Sequence, residues 1–560
     1  MSFLPQVVKA FLLVAFSFIA WNVFKRRAAF SIIDKIPGPK ASSWLKGNFI
    51  QIFGTNSWDF HDMMRERYGP TSTFHSLFGD KYIYTFDPKA MHHILIKDQY
   101  TFEEQRAFIL TNQLLFGKGL LSTLGEHHRR QRKMLNPVFS IAHMREMIPT
   151  FNAISLRLRD SLAKKVQDGP EQVDMLSWLS RTALELVGQS GLGYSFDPLT
   201  DEECAHPYPM ALKGLLLLVS DVLAVTFWSR TYILPWLMKF VPAPALRFLS
   251  FYWPSSTLRH GRELADYMWE LSTQIYQEKK RALDQGDEAV VEQVGRGKDI
   301  LSVLSKRVAP KAESDGFIHR YLVNENMKAS DEDKLDEDEI IGQSALARIL
   351  LLLAEYPSVQ ARLREELNDA RRENQGLDLG YDQLISLPYL DSVCRETLRL
   401  YPPVPRLMRT TIKDTVLPLS TPVTAKDGSQ ITEIPVPAQT NVYLSIMGSN
   451  RNTSLWGPDA PEWKPERWLS PLPDVVSEAK IPGVYSHLMT FNGGGRSCIG
   501  FKFSQLEMKV VLAHLVETFE FAPSGKHIDW NYTGVSNPYV PAEGRKLQLP
   551  IRMNLVNRST

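Results

Sequence analysis

The first apolar positions form one nearly unbroken run. From Phe3 to Phe24 the chain is hydrophobic except for Gln6, Lys9, Ser17 and Asn22. A helix of that length reaches about 33 Å, enough for one hydrocarbon core. Lys25, Arg26 and Arg27 follow at once, and a positive flank on this side predicts a cytosolic position for everything after residue 27. No small-residue cleavage site follows, and the charges come after the apolar run rather than before it, which argues against a cleaved signal. Ile36-Pro37-Gly38-Pro39 then stops any helix. Residues 1–27 therefore read as a transmembrane anchor, 28–40 as a basic, Pro-rich linker and 41–560 as a single domain.

Within that domain the period changes several times. Tyr82-Ile83-Tyr84-Thr85-Phe86 has strand character. From about 125 to 285 the spacing is mainly helical. Met210–Trp253 is strongly apolar and aromatic. That stretch predicts either a buried helix or an element that dips into a membrane or flanks ligand entry. Residues 305–338 are polar and predict a loop. Helical spacing resumes over Asp336–Tyr356, Ser358–Glu373 and Tyr389–Leu400, short strands over 411–448, irregular Pro- and Trp-rich chain over 449–490, a long helix near Cys498 and strands over 518–554. The sum is a mainly α fold with a small β region.

Composition narrows the function classes. Lys plus Arg number 64 against 62 Asp plus Glu, a net charge of +2, and no zinc-finger or RNA-binding motif occurs, so nothing points to nucleic acid. The three cysteines, Cys204, Cys394 and Cys498, are odd in number and far apart, which does not suggest a disulfide framework and suits a reducing compartment.

The chemistry concentrates in Phe491-Asn492-Gly493-Gly494-Gly495-Arg496-Ser497-Cys498-Ile499-Gly500. Three glycines allow a tight turn and close approach to a flat cofactor. Cys498 stands just before a helical run, whose N-terminus favours a thiolate. Arg496 is placed to pair with a carboxylate of the cofactor, and Phe491 to pack on its ring or shield the sulfur. This loop resembles the haem-binding signature of cytochromes P450. The resemblance implies a mainly helical fold, haem b with Cys498 as axial iron ligand, and insertion of one oxygen atom from O2 into a hydrophobic small molecule, a terpenoid-like one favoured. It also implies electrons from NADPH–cytochrome P450 reductase and a single-pass position in the endoplasmic reticulum membrane with lipid contact. The tone is that of membrane-bound fungal enzymes of secondary metabolism. Arg129, Arg130, Lys133 and Lys502 could form a basic face for an acidic reductase.

Three further matches extend the resemblance over residues 36 to 553. Glu396-Thr397-Leu398-Arg399, followed by Tyr401-Pro402-Pro403-Val404-Pro405, and Pro465-Glu466-Arg467-Trp468 imply a structural triad of Glu396, Arg399 and Arg467 behind the haem. In Gly125–Lys133, His128 and Arg132 stand where the family often has Trp and Arg four apart, and both are expected at the haem propionates. Arg409 resembles another propionate-binding position.

One departure concerns activity. The family's distal helix reads Ala/Gly-Gly-x-Asp/Glu-Thr at its middle, an acid–hydroxyl pair that relays protons to oxygen, and no such motif occurs here. Asp336-Glu337-Asp338-Glu339-Ile340-Ile341-Gly342-Gln343 runs straight into Ser344-Ala345-Leu346-Ala347-Arg348. About 14 residues are missing from the middle, close to four turns or about 21 Å, so the apolar face stays nearly in phase. Just upstream, Ser305–Leu322 reads as an insertion without core pattern. Together these predict a retained intron and a removed coding piece, and a rival function: a haem-binding protein with impaired or no monooxygenase activity. Asn452, Asn531 and Asn557 stand in glycosylation sequons, which a cytosolic position would leave unused.

Overall fold

The computed structural model describes residues 32–200, 227–242, 256–285 and 332–556, with isolated positions such as Phe248, Asp299 and Ser302 between them. The anchor expected over 1–27, the insertion Ser305–Leu322, Cys204 and Asn557 lie outside the described residues. Among the described residues no helix is long and apolar enough to cross a membrane.

Nine helices carry the argument: α1 (Trp58–Tyr68), α2 (Gly125–Leu135), α3 (Ile141–Lys165), α4 (Met175–Val187), α5 (Ser256–Gln285), α6 (Glu332–Glu355), α7 (Pro357–Glu373), α8 (Pro388–Leu400) and α9 (Phe501–Thr518). The centre of the larger core is α6, which packs on α4, α9 and α8, while α9 also packs on α3. Its segment Ala345–Ala354 is almost wholly apolar and buried, as a helix surrounded by others requires.

Chain chemistry explains where key helices begin. Ser140 caps α3 by accepting from the His143 N–H. Pro388 occupies the first turn of α8, where a missing N–H costs nothing. The Glu366 carboxylate of α7 accepts from the Tyr389 and Leu390 N–H groups at 2.7 and 2.8 Å, placing negative charge on the positive end of α8. Helix α6 begins at Glu332, whereas the polar composition predicted a loop through 338. Acidic residues at a helix N-terminus are favourable, and Glu, Lys and Leu are good helix formers.

A smaller core surrounds a five-stranded sheet of β1 (Thr71–His75), β2 (Lys81–Thr85), β3 (Phe102–Glu104), β4 (Arg406–Thr411) and β5 (Asn441–Ser445), ordered β1-β2-β5-β4-β3. The packed chain reaches back to Ile33, because Ile33 and Ile36 are buried in this core and the Pro37 carbonyl accepts from the Thr73 N–H at 3.0 Å. The last eight positions of the expected linker thus belong to the globule. Two sequons are also committed to local structure. Asn452 caps a short helix at Ser454, and the Asn531 side chain holds the Asn537 N–H.

His61 of α1 marks the middle of the sheet's aromatic layer. Its ring stacks on Tyr532 and Tyr443 at 4.3 and 5.4 Å, and its Nε2 lies 3.1 Å from the Ile52 carbonyl oxygen. Burial holds the imidazole pKa down to about 3. Below its ordinary value of 6.5 the unfolded chain takes a proton that the folded protein refuses, so this stability is full above 6.5 and lost as pH falls toward 3. From pH 7 to pH 5 the loss from this one residue is about 2 kcal/mol. Urea midpoints of wild type and His61→Gln at both pH values check it: the variant should show the shallower pH dependence, and parallel profiles would refute the assignment.

Candidate functional site

Cys498 lies between β7 (Leu488–Gly493), paired with β6 (Gly483–Tyr485), and the first turn of α9. It precedes Phe501 by three residues, at the positive end of the α9 dipole. The Cys498 N–H donates to the Phe491 carbonyl at 2.9 Å, and the Ser497 N–H to the Gly494 carbonyl at 3.1 Å. Asn492, in the left-handed region, donates to the Arg496 carbonyl at 2.9 Å. Phe491 is buried between Tyr485 and Phe501, with ring centroids at 5.8 and 6.2 Å.

The loop's glycines have a reason the sequence did not disclose. A Cβ on Gly493 would stand 2.1 Å from the Pro482 carbonyl oxygen, and one on Gly494, whose φ is +70°, 1.9 Å from that of Leu95. Neighbouring backbone, not only a cofactor, excludes side chains there.

His128, Arg132 and Arg496 line one cavity of about 260 Å³ together with Gln99, Glu103 and Gly495. Burial, with the charges of Arg496 and Arg132, lowers the His128 pKa to about 3 and keeps it neutral. Arg132 donates to Ser497, through Nη1 to the carbonyl at 2.5 Å and through Nη2 to Oγ at 2.8 Å. Arg496 donates to the Thr123 and Leu120 carbonyls at 2.6 and 3.3 Å.

Arg409 is buried on β4, opposite β3. Its Nη1 donates to Glu104 at 2.8 Å, and its buried Nη2 has no hydrogen-bond partner among the described residues. The neighbouring Glu103 faces Arg496 at 3.8 Å, and burial pushes its carboxyl pKa up against that pull. Sequence reasoning missed Glu103, Glu104, Gln99 and Ser497. The only signal was two adjacent acids in a strand-like stretch.

Behind the loop, Glu396 and Arg399 of α8 form a buried fork with both contacts at 2.8 Å. Arg399 also donates to the carbonyls of Asn450, Ala460 and Glu462. Glu396 accepts from Arg467 Nε at 3.4 Å, Trp468 Nε1 at 2.9 Å and the Lys464 N–H at 3.1 Å. The structure therefore joins the three charges into one network. Trp468 and Lys464 are additional members.

Across residues 36–543 the chain matches the family model described as Cytochrome P450. The chain belongs to the cytochrome P450 family. Cytochrome P450 monooxygenase 91 of Postia placenta is 46% identical over 570 residues, covering 99% of this chain and 100% of the relative. Cytochrome P450 monooxygenase 219 of the same organism is 45% identical, covering 95% of each chain. Ganoderic acid synthetase CYP5150L8 of Ganoderma lucidum is 41% identical, covering 96% of each. This P450 is an oxidoreductase of the monooxygenase class, and its cofactor is haem b. Its residues fit that cofactor: a cysteine at a helix N-terminus suits the iron, and a buried arginine nitrogen with no hydrogen-bond partner among the described residues suits a carboxylate.

Between Gly342 and Ala354, α6 carries one hydroxyl, Ser344, and no carboxylate. Ser344 Oγ donates to the Ser536 carbonyl at 2.6 Å. At Gly342 a Cβ would stand 2.2 Å from a Glu507 carboxylate oxygen of α9, so α6 touches α9 directly there.

Proposed function

We propose that this P450 hydroxylates or otherwise oxidises a hydrophobic, terpenoid-like small molecule in fungal secondary metabolism. It is fed by NADPH–cytochrome P450 reductase and works at the endoplasmic reticulum membrane. Cys498 is the axial ligand, and His128, Arg132, Arg409 and Arg496 serve the propionates. The observation that carries the reading is the Cys498 loop, closed by its own backbone bonds and tied by Arg132 to α2 and by Arg496 to the chain just before it. Haem bound there supplies oxygen activation, with electron density from the thiolate. The protein's part is to hold the sulfur, neutralise the propionates and exclude water.

Two observations support the membrane and the apolar substrate. Trp44, Trp236 and Phe240 are 67%, 61% and 61% exposed. Trp44 touches Phe78, which touches Trp228 and Tyr232, so the chain following the expected anchor and part of the 210–253 stretch share one aromatic face. The described part of that stretch therefore speaks against the buried-helix reading. The rings of Phe49, Phe53 and Phe227 cluster beside it with centroids 4.8–5.4 Å apart. The relative named for ganoderic acid supports secondary metabolism. The exposed Arg129, Arg130 and Lys133 support an acidic redox partner.

A second reading, haem binding with impaired turnover, is favoured by α6. Its one hydroxyl is engaged by Ser536 and has no acid next to it along α6. The alignment to monooxygenase 91 also runs to 570 positions against 560 residues here, so positions of the relative lack a counterpart. Turnover of the full chain with reductase, NADPH and a panel of apolar terpenoids separates the two. The expected result is an oxygenated product in step with NADPH consumption. NADPH consumption with oxygen returned only as hydrogen peroxide would establish the impaired reading instead.

A further inference from the structure

The peptide unit joining Ser497 to Cys498 is held at both ends. Its N–H donates to the Phe491 carbonyl at 2.9 Å, and its carbonyl accepts from Arg132 Nη1 at 2.5 Å. The same guanidinium donates through Nη2 to the buried Ser497 hydroxyl at 2.8 Å. The plane of this peptide sets the direction in which the Cys498 side chain leaves the backbone, because only φ remains between them. The adjacent Arg496 reaches the other way, to Thr123 and Leu120 just before α2. Two consecutive loop residues are therefore tied to α2 and to the chain leading into it, 365 positions away in the case of Ser497 and Arg132.

We propose that Arg132 and Ser497 form a two-point clasp that aims and retains the Cys498 sulfur, making both of them positioning residues for the reaction. The clasp rests on Cys498 being the haem ligand. The geometry needs an arginine: a planar fork meets two acceptors on one residue at once, and a lysine meets them as a single point. It also needs a hydroxyl at 497, since an alanine would remove one of the two acceptors that Ser497 offers Arg132. An arginine that served only a propionate would be indifferent to the residue at 497.

The test uses the full-length haem-loaded protein with Ser497→Ala, Ser497→Thr, Arg132→Lys and the Ser497→Ala/Arg132→Lys pair. Two quantities are read: the half-time for the reduced, CO-bound form to lose its thiolate band in mild urea, and the iron–sulfur stretching line of the ferric protein. Ser497→Ala should shorten the half-time about tenfold, the equivalent of one charge-assisted hydrogen bond, and shift or broaden the line. Ser497→Thr, which keeps the hydroxyl, should restore both. The double variant should be no shorter-lived than Arg132→Lys alone, since partners in one interaction are not additive. A Ser497→Ala protein with wild-type half-time and line, or effects that multiply in the double variant, overturns the clasp while leaving the ligand in place. A wild type with no thiolate band overturns the assignment of Cys498 and the clasp with it.

Discussion

Cys498→Ala is expected to abolish the thiolate band of the reduced, CO-bound protein and essentially all monooxygenase turnover, while the chain still folds. The sulfur is the one atom at this position that a backbone or neighbouring side chain does not duplicate. The loop's own closure uses the Cys498 N–H and the Phe491 carbonyl, which alanine retains. The side chain is only partly buried, so its removal costs about 1 kcal/mol of stability at most. A protein of this size then keeps most of its folding free energy, and far-ultraviolet circular dichroism should be unchanged. The deciding measurement is the difference spectrum of reduced protein with and without CO. A thiolate band that survives in the variant would mean that the iron is held elsewhere.

Arg399→Ala, by contrast, should yield no recoverable folded haem protein. Arg399 is fully buried. It pairs both oxygens of the equally buried Glu396 and satisfies three carbonyls on the chain between 450 and 462. Removing one partner of a buried ion pair costs about 3–5 kcal/mol, and each stranded carbonyl adds about 1–3 kcal/mol. That sum reaches the whole stability of a typical domain, about 5–15 kcal/mol. Arg399→Lys should fail almost as badly, because an ammonium cannot fork to Glu396 and reach Asn450, Ala460 and Glu462 together. Arg467→Ala should be milder, since Glu396 keeps Arg399, Trp468 and the Lys464 N–H. Soluble yield and haem content per polypeptide rank the three variants. Recovery of Arg399→Ala at wild-type haem content would show that the network is not what holds this region together.

The contrast between these two variants separates two kinds of information. Cys498 was legible because its chemistry is local: a lone cysteine among glycines, an arginine two positions before it and a helix just after. The Glu396–Arg399 pair shares a helix face by its spacing, but its structural role came from the resemblance, and the helical spacing over Asp336–Tyr356 predicted most of α6. Arg467 was tied to them only through resemblance. Geometry then supplied Trp468 and Lys464, which no spacing rule marks.

Other readings changed once the chain was packed. The polar stretch before Asp336 proved helical from Glu332 because acids at a helix N-terminus are favourable where a composition rule sees only a loop. Ile33 and Ile36 entered the sheet's core, although the prolines beside them read as linker. The glycines of the thiolate loop answer to Pro482 and Leu95 as well as to a cofactor.

By itself, then, the sequence determined the family, the mainly helical fold, the cysteine loop that is the candidate haem site and the absence of an acid–hydroxyl pair on α6, because each is written in residue type and short spacing. Only the tertiary structure decided that Arg132 grips Ser497, that Glu104 pairs with Arg409, that Glu366 caps α8 and that Ser344 is engaged by Ser536. Hydrogen bonds are satisfied in space rather than along the chain, and partners separated by tens or hundreds of residues meet only where packing brings them within about 3 Å.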